Sequence, residues 1–162
     1  NKLPKLAPAN VHELLEHVRR LVEAQYPGVL PWVRDYDPST PEVSVDRDQM
    51  IQALLNLVRN AVQALTNEPH PTLTLRTRTQ RQFTLGNQRH RLVAQIDISD
   101  NGPGIPEALR HTLFHPMVSG RPDGSGLGLT ITQNIISQHH GSIEARSEAG
   151  CTTFSLILPI VL

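Results

Sequence analysis

Three groups of residues have side chains or backbone better suited to chemistry than to packing. Asp100-Asn101-Gly102-Pro103-Gly104-Ile105 sets a carboxylate ahead of two glycines, and Gly124-Ser125-Gly126-Leu127-Gly128-Leu129 opens an apolar run with three more. Each glycine loses more backbone freedom on folding than any other residue, so a packed domain gains little stability from so many. Without a Cβ, the backbone can turn at positive φ and bring its N–H groups close to a flat ring or a phosphate. The stretch reads as a nucleotide site. The third group, Asn56 and Asn60, lies four residues apart in a helical pattern, so the two are neighbours one turn apart. Asn is a poor helix former, and its amide oxygen can ligand a hard cation or bridge to a phosphate. Taken alone, the pair is equally compatible with a solvated helix face.

Positioning these groups requires several elements. Asn10 and Glu13 make an N-cap and N3 pair ahead of Val11, Leu14, Leu15, Val18, Leu21 and Val22, an amphipathic helix ending near Tyr26-Pro27-Gly28. Val29 to Tyr36 and Val43 to Val45 read as strands around the turn cluster Asp37-Pro38-Ser39-Thr40-Pro41. The asparagines sit on a second helix from Asp46 to about Leu65. Its expected buried stripe is Ile51, Leu54, Leu55, Val58, Ala61, Val62 and Leu65, with Gln49, Gln52, Asn56, Asn60 and Gln63 on another face.

Thr72 to Thr84 and Arg89 to Ser99 alternate around Gly86-Asn87, a long hairpin that runs straight into Asp100. Its arginines Arg76, Arg78 and Arg81 have no interleaved aromatics and read as a solvated strand face. Beyond Pro106, a short helical turn from Glu107 to Phe114 leads into a lid-like loop, His115 to Asp123. A helix from Leu127 to about Gln138 follows, with Leu129, Ile131, Ile135 and Ile136 as core residues. The N–H groups at its start form an anion site. Ser142 to Arg146, a turn at Glu148-Ala149-Gly150, and Thr152 to Leu158 close the chain as a hairpin.

The 162 residues, 38% hydrophobic and 19% charged, suit one cored domain spanning residues 1–162, with residues 1–9 as the end of a linker. Fifteen basic and fifteen acidic side chains cancel, which argues against a nucleic acid or an anionic membrane held by bulk electrostatics. The single cysteine, Cys151, fits a reducing compartment, and a cytoplasmic location is expected. No apolar run approaches the roughly 20 residues that span a bilayer. The eight histidines show no metal-ligand spacing and read as surface residues, His12 among them on the first helix.

Asn56-Leu57-Val58-Arg59-Asn60-Ala61, Asp100 to Ile105, Leu113-Phe114 with Pro116, Gly124 to Leu129 and Gly150-Cys151-Thr152-Thr153-Phe154 together resemble the asparagine, glycine and phenylalanine boxes of sensor histidine kinases. They occur in that family's order and at its separations, over essentially the whole chain. The lid and the Leu129 to Ile136 helix resemble the family's nitrogen-regulation branch. The resemblance implies an α/β two-layer sandwich of Bergerat type: a mixed sheet of about five strands with helices on one face, and ATP between the asparagine helix and the lid.

By that resemblance, Asp100 accepts from the adenine amine, since a carboxylate there can only accept. Gly102, Gly104 and Ile105 shape the base pocket. Gly124, Ser125, Gly126, Leu127, Gly128 and Leu129 hold the triphosphate, Asn60 ligands Mg²⁺, and Asn56 supports the metal or the phosphates. Arg121 stands where relatives commonly carry a lid lysine; its implied role is to neutralise charge developing on the γ-phosphoryl, with a solvent-exposed lid arginine as the alternative. Gln63 replaces a lysine common in the family, which leaves Arg59 as a substitute phosphate contact.

The ATPase relatives of this fold carry a general-base glutamate where this chain has Asn56. An amide cannot take a proton from water, so transfer to a histidine is expected rather than hydrolysis. The implied partners are the protein's own dimerisation and phosphoacceptor domain, an NtrC-like response regulator and a PII-type signal protein at the lid, in a homodimeric full-length protein without nucleic-acid or membrane contact. A hydrolytic ATPase and a nucleotide-sensing regulatory module are the alternatives.

Overall fold

The computed structural model describes residues 3–28, 30–104, 126–148 and 150–160. The first helix, α1 (Val11–Gln25), starts where expected: the Asn10 side chain accepts from the N–H groups of His12 and Glu13 and satisfies two otherwise unpaired donors. Glu13 does not complete the reciprocal cap. Its carboxylate pairs instead with Arg47, the first residue of α2 (Arg47–Ala64). Asp46 caps α2 by accepting from Gln49 N–H at 3.1 Å. The third helix is α3 (Gly126–Gln138), over the run whose periodicity indicates a helix from Leu127 to about Gln138.

The strands are β1 (Ala7–Ala9), β2 (Trp32–Asp35), β3 (Val43–Val45), β4 (Leu73–Leu85), β5 (Gln88–Asp100), β6 (Ser142–Glu148) and β7 (Cys151–Pro159). Five of them form a mixed sheet in the order β2-β4-β5-β7-β6, with β2 parallel to β4 and the other pairs antiparallel. β1, within the stretch expected to be linker, pairs antiparallel with β3, Ala7 opposite Val45. β2 is shorter than the strand expected from Val29 to Tyr36.

Alternation decides the layering. Leu73, Leu75, Ile96, Ile98, Leu156 and Leu158 lie on one face of the sheet and join Leu14, Leu15, Leu54, Leu57 and Ile136 of the helices in a single core. Full burial of each such side chain contributes about 1.5–3 kcal/mol. The opposite face carries Arg76, Arg78 and Gln95 and has no helix over it among the described residues. The expected two-layer mixed sheet with helices on one face is the architecture found.

α2 packs against α1, α3 and β5, so its buried arc is wider than a single stripe and is rotated toward Met50, Ala53, Leu57 and Asn60. Ile51 and Leu55, expected in the core, are only partly buried. On α3, Leu129, Ile135 and Ile136 are core residues as expected, but Ile131 is exposed and Thr132 is buried in its place.

Polar staples fix α1 to the sheet. Glu16 accepts from Arg19, Arg34 and Tyr36, and Glu23 accepts from Trp32 Nε1 and Gly28 N–H. Burial and then the Glu16 hydrogen bond push the Tyr36 hydroxyl above its usual range. Two histidines depart from the surface reading. His12 stacks on Tyr36 with ring centroids 4.7 Å apart, and its Nε2 lies 2.8 Å from Thr77 Oγ1. His139 is buried: its Nε2 accepts from Asp46 N–H at 3.0 Å, which makes Nδ1 the donor to Ile135 O at 2.8 Å.

Burial lowers the His12 pKa from its ordinary 6.5, against the opposing charges of Asp37 and Glu16. The unfolded chain therefore binds a proton that the folded chain resists. The contribution is fully present above pH 6.5 and is lost as pH falls from there through the folded-state value. Urea unfolding at pH 7.5 and pH 5.5 is expected to show lower stability at the acidic value. His12→Phe, which keeps the stack on Tyr36, is expected to reduce that difference; an unchanged pH dependence in the variant would assign it to other groups.

Candidate functional site

Asp100 ends β5 in the middle of the sheet, with Leu73 of β4 on one side and Thr152 of β7 on the other. Its carboxylate is buried, and Oδ1 accepts from Gly102 N–H at 2.9 Å. The next residue anchors the turn. Asn101 Oδ1 accepts from Thr72 N–H at 2.7 Å, and its Nδ2 donates to His70 O at 2.8 Å. The chain leaving β5 is thereby tied to the chain entering β4, and the Asp100 backbone is fixed from both ends.

The two glycines of this loop lie against the protein's own backbone. A Cβ on Gly102 would sit 2.6 Å from the carbonyl oxygen of Ala64, at the end of α2. Gly104 has φ +89°, and a Cβ there would sit 2.7 Å from Glu148 O, at the end of β6. Here the missing Cβ allows the loop to wedge between α2 and β6, and the buried carboxylate sits at the base of that wedge.

Asn60 is 5% exposed and Asn56 is partly buried, so the amide pair lies along packed surface and not on the open face that the periodicity allowed. Asn56 Nδ2 donates to Thr132 Oγ1 at 3.4 Å, linking α2 to α3. The start of α3 thus lies near the asparagine helix. Gly126, Leu127 and Gly128 form its first turn, whose N–H groups lack intrahelical acceptors, and Leu129 is buried. Ile105, Arg121, Gly124 and Ser125 lie outside the described residues, as do the expected helical turn from Glu107 to Phe114 and the lid from His115 to Asp123.

The sequence reading missed two buried hydroxyls. Thr152 is the register partner of Asp100, and its Oγ1 lies 3.2 Å from Ser147 Oγ; Thr132 holds Asn56. The spacing of Leu129, Thr132 and Ile136, three and then four residues apart, is a helix-face signal that would have placed Thr132 inside.

Chemically, the arrangement offers a buried acceptor-only group on the sheet, two neutral amide oxygens on α2 and a positive helix end on α3. Among the described residues, no group of three or more His, Cys, Asp or Glu is arranged to hold a metal ion.

Residues 45–162 match the family described as histidine kinase-, DNA gyrase B- and HSP90-like ATPases. The chain is 50% identical over 157 residues to the sensory histidine kinase/phosphatase NtrB of Vibrio alginolyticus, covering 97% of this chain and 45% of that protein. It is 54% identical over 151 residues to NtrB of Klebsiella oxytoca, covering 93% of this chain and 43% of that one. The chain thus spans less than half the length of these curated relatives. Among solved structures, the nucleotide-free catalytic domain of the histidine kinase ThkA superposes with a TM-score of 0.80 at 25% identity, over 96% of this chain and 95% of that domain.

The wedge predicts a stability cost. Gly104→Ala must either keep a positive φ or move off the Glu148 carbonyl, and is expected to lower stability by about 1–3 kcal/mol. Thermal unfolding measures it, with Gly86→Ala as a control at a similar φ of +60° with no atom within 4 Å. Equal losses in the two variants would mean that the close approach contributes nothing beyond φ.

Proposed function

The chain belongs to the histidine kinase-, DNA gyrase B- and HSP90-like ATPase family and is an ATP-binding domain of the sensor histidine kinase kind; from that premise we propose that it transfers the γ-phosphoryl of ATP to a histidine on a separate dimerisation domain, in nitrogen regulation. The observation that carries this reading is the pairing of a buried acceptor, Asp100, with an amide, Asn56, at the position that would need a general base for hydrolysis. A carboxylate at the end of β5 that meets the 6-position of a purine accepts from the 6-amino group of adenine and is repelled by the 6-carbonyl of guanine, which selects adenine. The amide of Asn56 cannot take a proton from water, so the γ-phosphoryl persists until an imidazole reaches it.

The remaining residues receive roles on the same reading. Gly102 and Gly104 shape the base pocket, together with Ile105. The backbone from Gly124 through Ser125, Gly126, Leu127 and Gly128 to Leu129 cradles the phosphates at the positive end of α3. Asn60 ligands Mg²⁺ and Asn56 supports it. When bound, the cation neutralises phosphate charge, a role that suits a site with few protein ligands of its own. Arg121 offsets charge on the transferred group, with Arg59 as a further phosphate contact.

The whole forms one catalytic domain, residues 1–162, in a longer homodimeric protein that passes phosphate to an NtrC-like response regulator and answers to a PII-type protein at the lid. The proposed location is cytoplasmic. Among the described residues, no helix is long and apolar enough to cross a membrane.

Asp100→Asn keeps the size of the side chain and an acceptor for Gly102 N–H but removes the charge and adds a donor. ATP affinity by calorimetric titration is expected to fall at least about tenfold. Unchanged affinity would remove the adenine assignment.

Transfer is tested separately. Mixed with its phosphoacceptor domain and labelled ATP, the chain is expected to yield acid-labile phosphohistidine and little free phosphate. Steady phosphate release without labelled protein would instead support the hydrolytic reading.

A further inference from the structure

The β4–β5 hairpin outruns the rest of the sheet. β2 stops pairing with β4 at Arg76, and β7 stops pairing with β5 at Val93, where Pro159 is its last partner. Residues 81–92 continue as a two-stranded ribbon with no third strand on either side among the described residues. It closes through Gly86 and Asn87 between the paired Leu85 and Gln88. Gly86, at φ +60°, takes the position where a type II′ turn calls for glycine.

The charge on this hairpin is segregated. From Pro69 to Ile96 the chain carries five arginines and no aspartate or glutamate, although the whole chain balances fifteen basic against fifteen acidic residues. Arg76 and Arg78, nearest the sheet, are both bonded to Asp35 of β2, at 3.0 and 2.8 Å. Arg81, Arg89 and Arg91, on the ribbon itself, are exposed and make no ion pair with described residues. Arg81 stands opposite Leu92 and Arg89 opposite Thr84, three positions along the ribbon, so the two cations fall on opposite faces.

Charges commonly guard exposed strand edges against aggregation, but a guard needs no particular sign. Arg81, Arg89 and Arg91, with no acidic residue on the ribbon, instead create a local positive field that selects an oppositely charged surface. Guanidinium groups in particular fit carboxylates in a two-point geometry. We propose that the ribbon is a docking surface for the acidic face of a partner protein.

Two other occupants fit less well. Nucleic acid and anionic membranes are dense polyanions, and the remainder of this chain, net negative by five, repels them; Phe83 is also the ribbon's only aromatic residue. A second copy of this chain would have to offer clustered carboxylates, yet Glu13, Glu16, Glu23, Asp35, Asp37 and Asp46 are already engaged within the chain, and the exposed Glu42, Asp48, Glu144 and Glu148 are divided among the residue before β3, the start of α2 and β6. The ribbon begins at the end of β5 away from Asp100. Asp100 lies nine positions along the strand from Arg91, roughly 30 Å, so a partner can dock there without covering the proposed nucleotide site.

The test uses the 162-residue chain and a variant with Arg81→Ser, Arg89→Ser and Arg91→Ser. The probe is a short fluorescein-labelled glutamate-rich peptide, titrated by anisotropy at low and at near-physiological salt. The wild-type chain is expected to bind the peptide with an affinity that weakens as salt rises. The variant is expected to lose at least about fivefold of that affinity while keeping its ATP affinity and melting temperature. Equal peptide affinity in the two proteins would overturn the proposal. So would tighter wild-type binding to a DNA duplex or to phosphatidylserine vesicles than to the peptide, or a wild-type self-association that the variant abolishes.

Discussion

The site depends on one steric condition, that the loop after β5 can lie against the end of α2 and the end of β6 without side chains in the way. Gly102 meets the Ala64 carbonyl and Gly104 the Glu148 carbonyl at distances that no Cβ would allow. Asn101 then ties the loop to the chain entering β4. The result is a carboxylate buried at the end of a central strand, where its two neighbouring strands and Gly102 N–H hold it in place. Burying such a group is costly unless it is bonded, and the loop supplies the bond.

The second half of the site is organised by the seam between α2 and α3. At one point on that seam Asn56 reaches Thr132; elsewhere His139, at the end of α3, accepts from the N-cap residue of α2. Both contacts are polar and lie within packed surface, so they set the positions of the two helices as well as their separation. The helix carrying the amides and the helix whose N-terminus is proposed to hold the phosphates are thus tied to each other. This is the geometry a phosphoryl-transfer site needs, because such catalysis is mostly positioning and charge stabilisation.

On β4 and β5, the proposed nucleotide site and the free ribbon occupy opposite ends of the same two strands. Charge is handled differently at each. Near the sheet, Asp35 answers Arg76 and Arg78, whereas on the ribbon Arg81, Arg89 and Arg91 are left to solvent. The zero net charge of the chain conceals this division, and for that reason composition suggested only a solvated strand face.

The sequence by itself determined the elements and their order: the Asn10 and Asp46 caps, the Gly86 turn, the alternation of β4, β5 and β7, and the five motifs that identify the family. Each is set by residues close together in the chain, through local hydrogen bonding, φ preference and side-chain period. Tertiary structure alone decided which arc of each helix is buried. Periodicity shows which residues share a face but not how many neighbours the helix meets. α2 meets three, so Asn60 and Met50 are enclosed while Ile51 and Leu55 are left half out. The same limit explains the burial of His139, the stacking of His12 on Tyr36 and the pairing of Ala7 with Val45. Each depends on contacts between residues distant in sequence, and no local pattern encodes them.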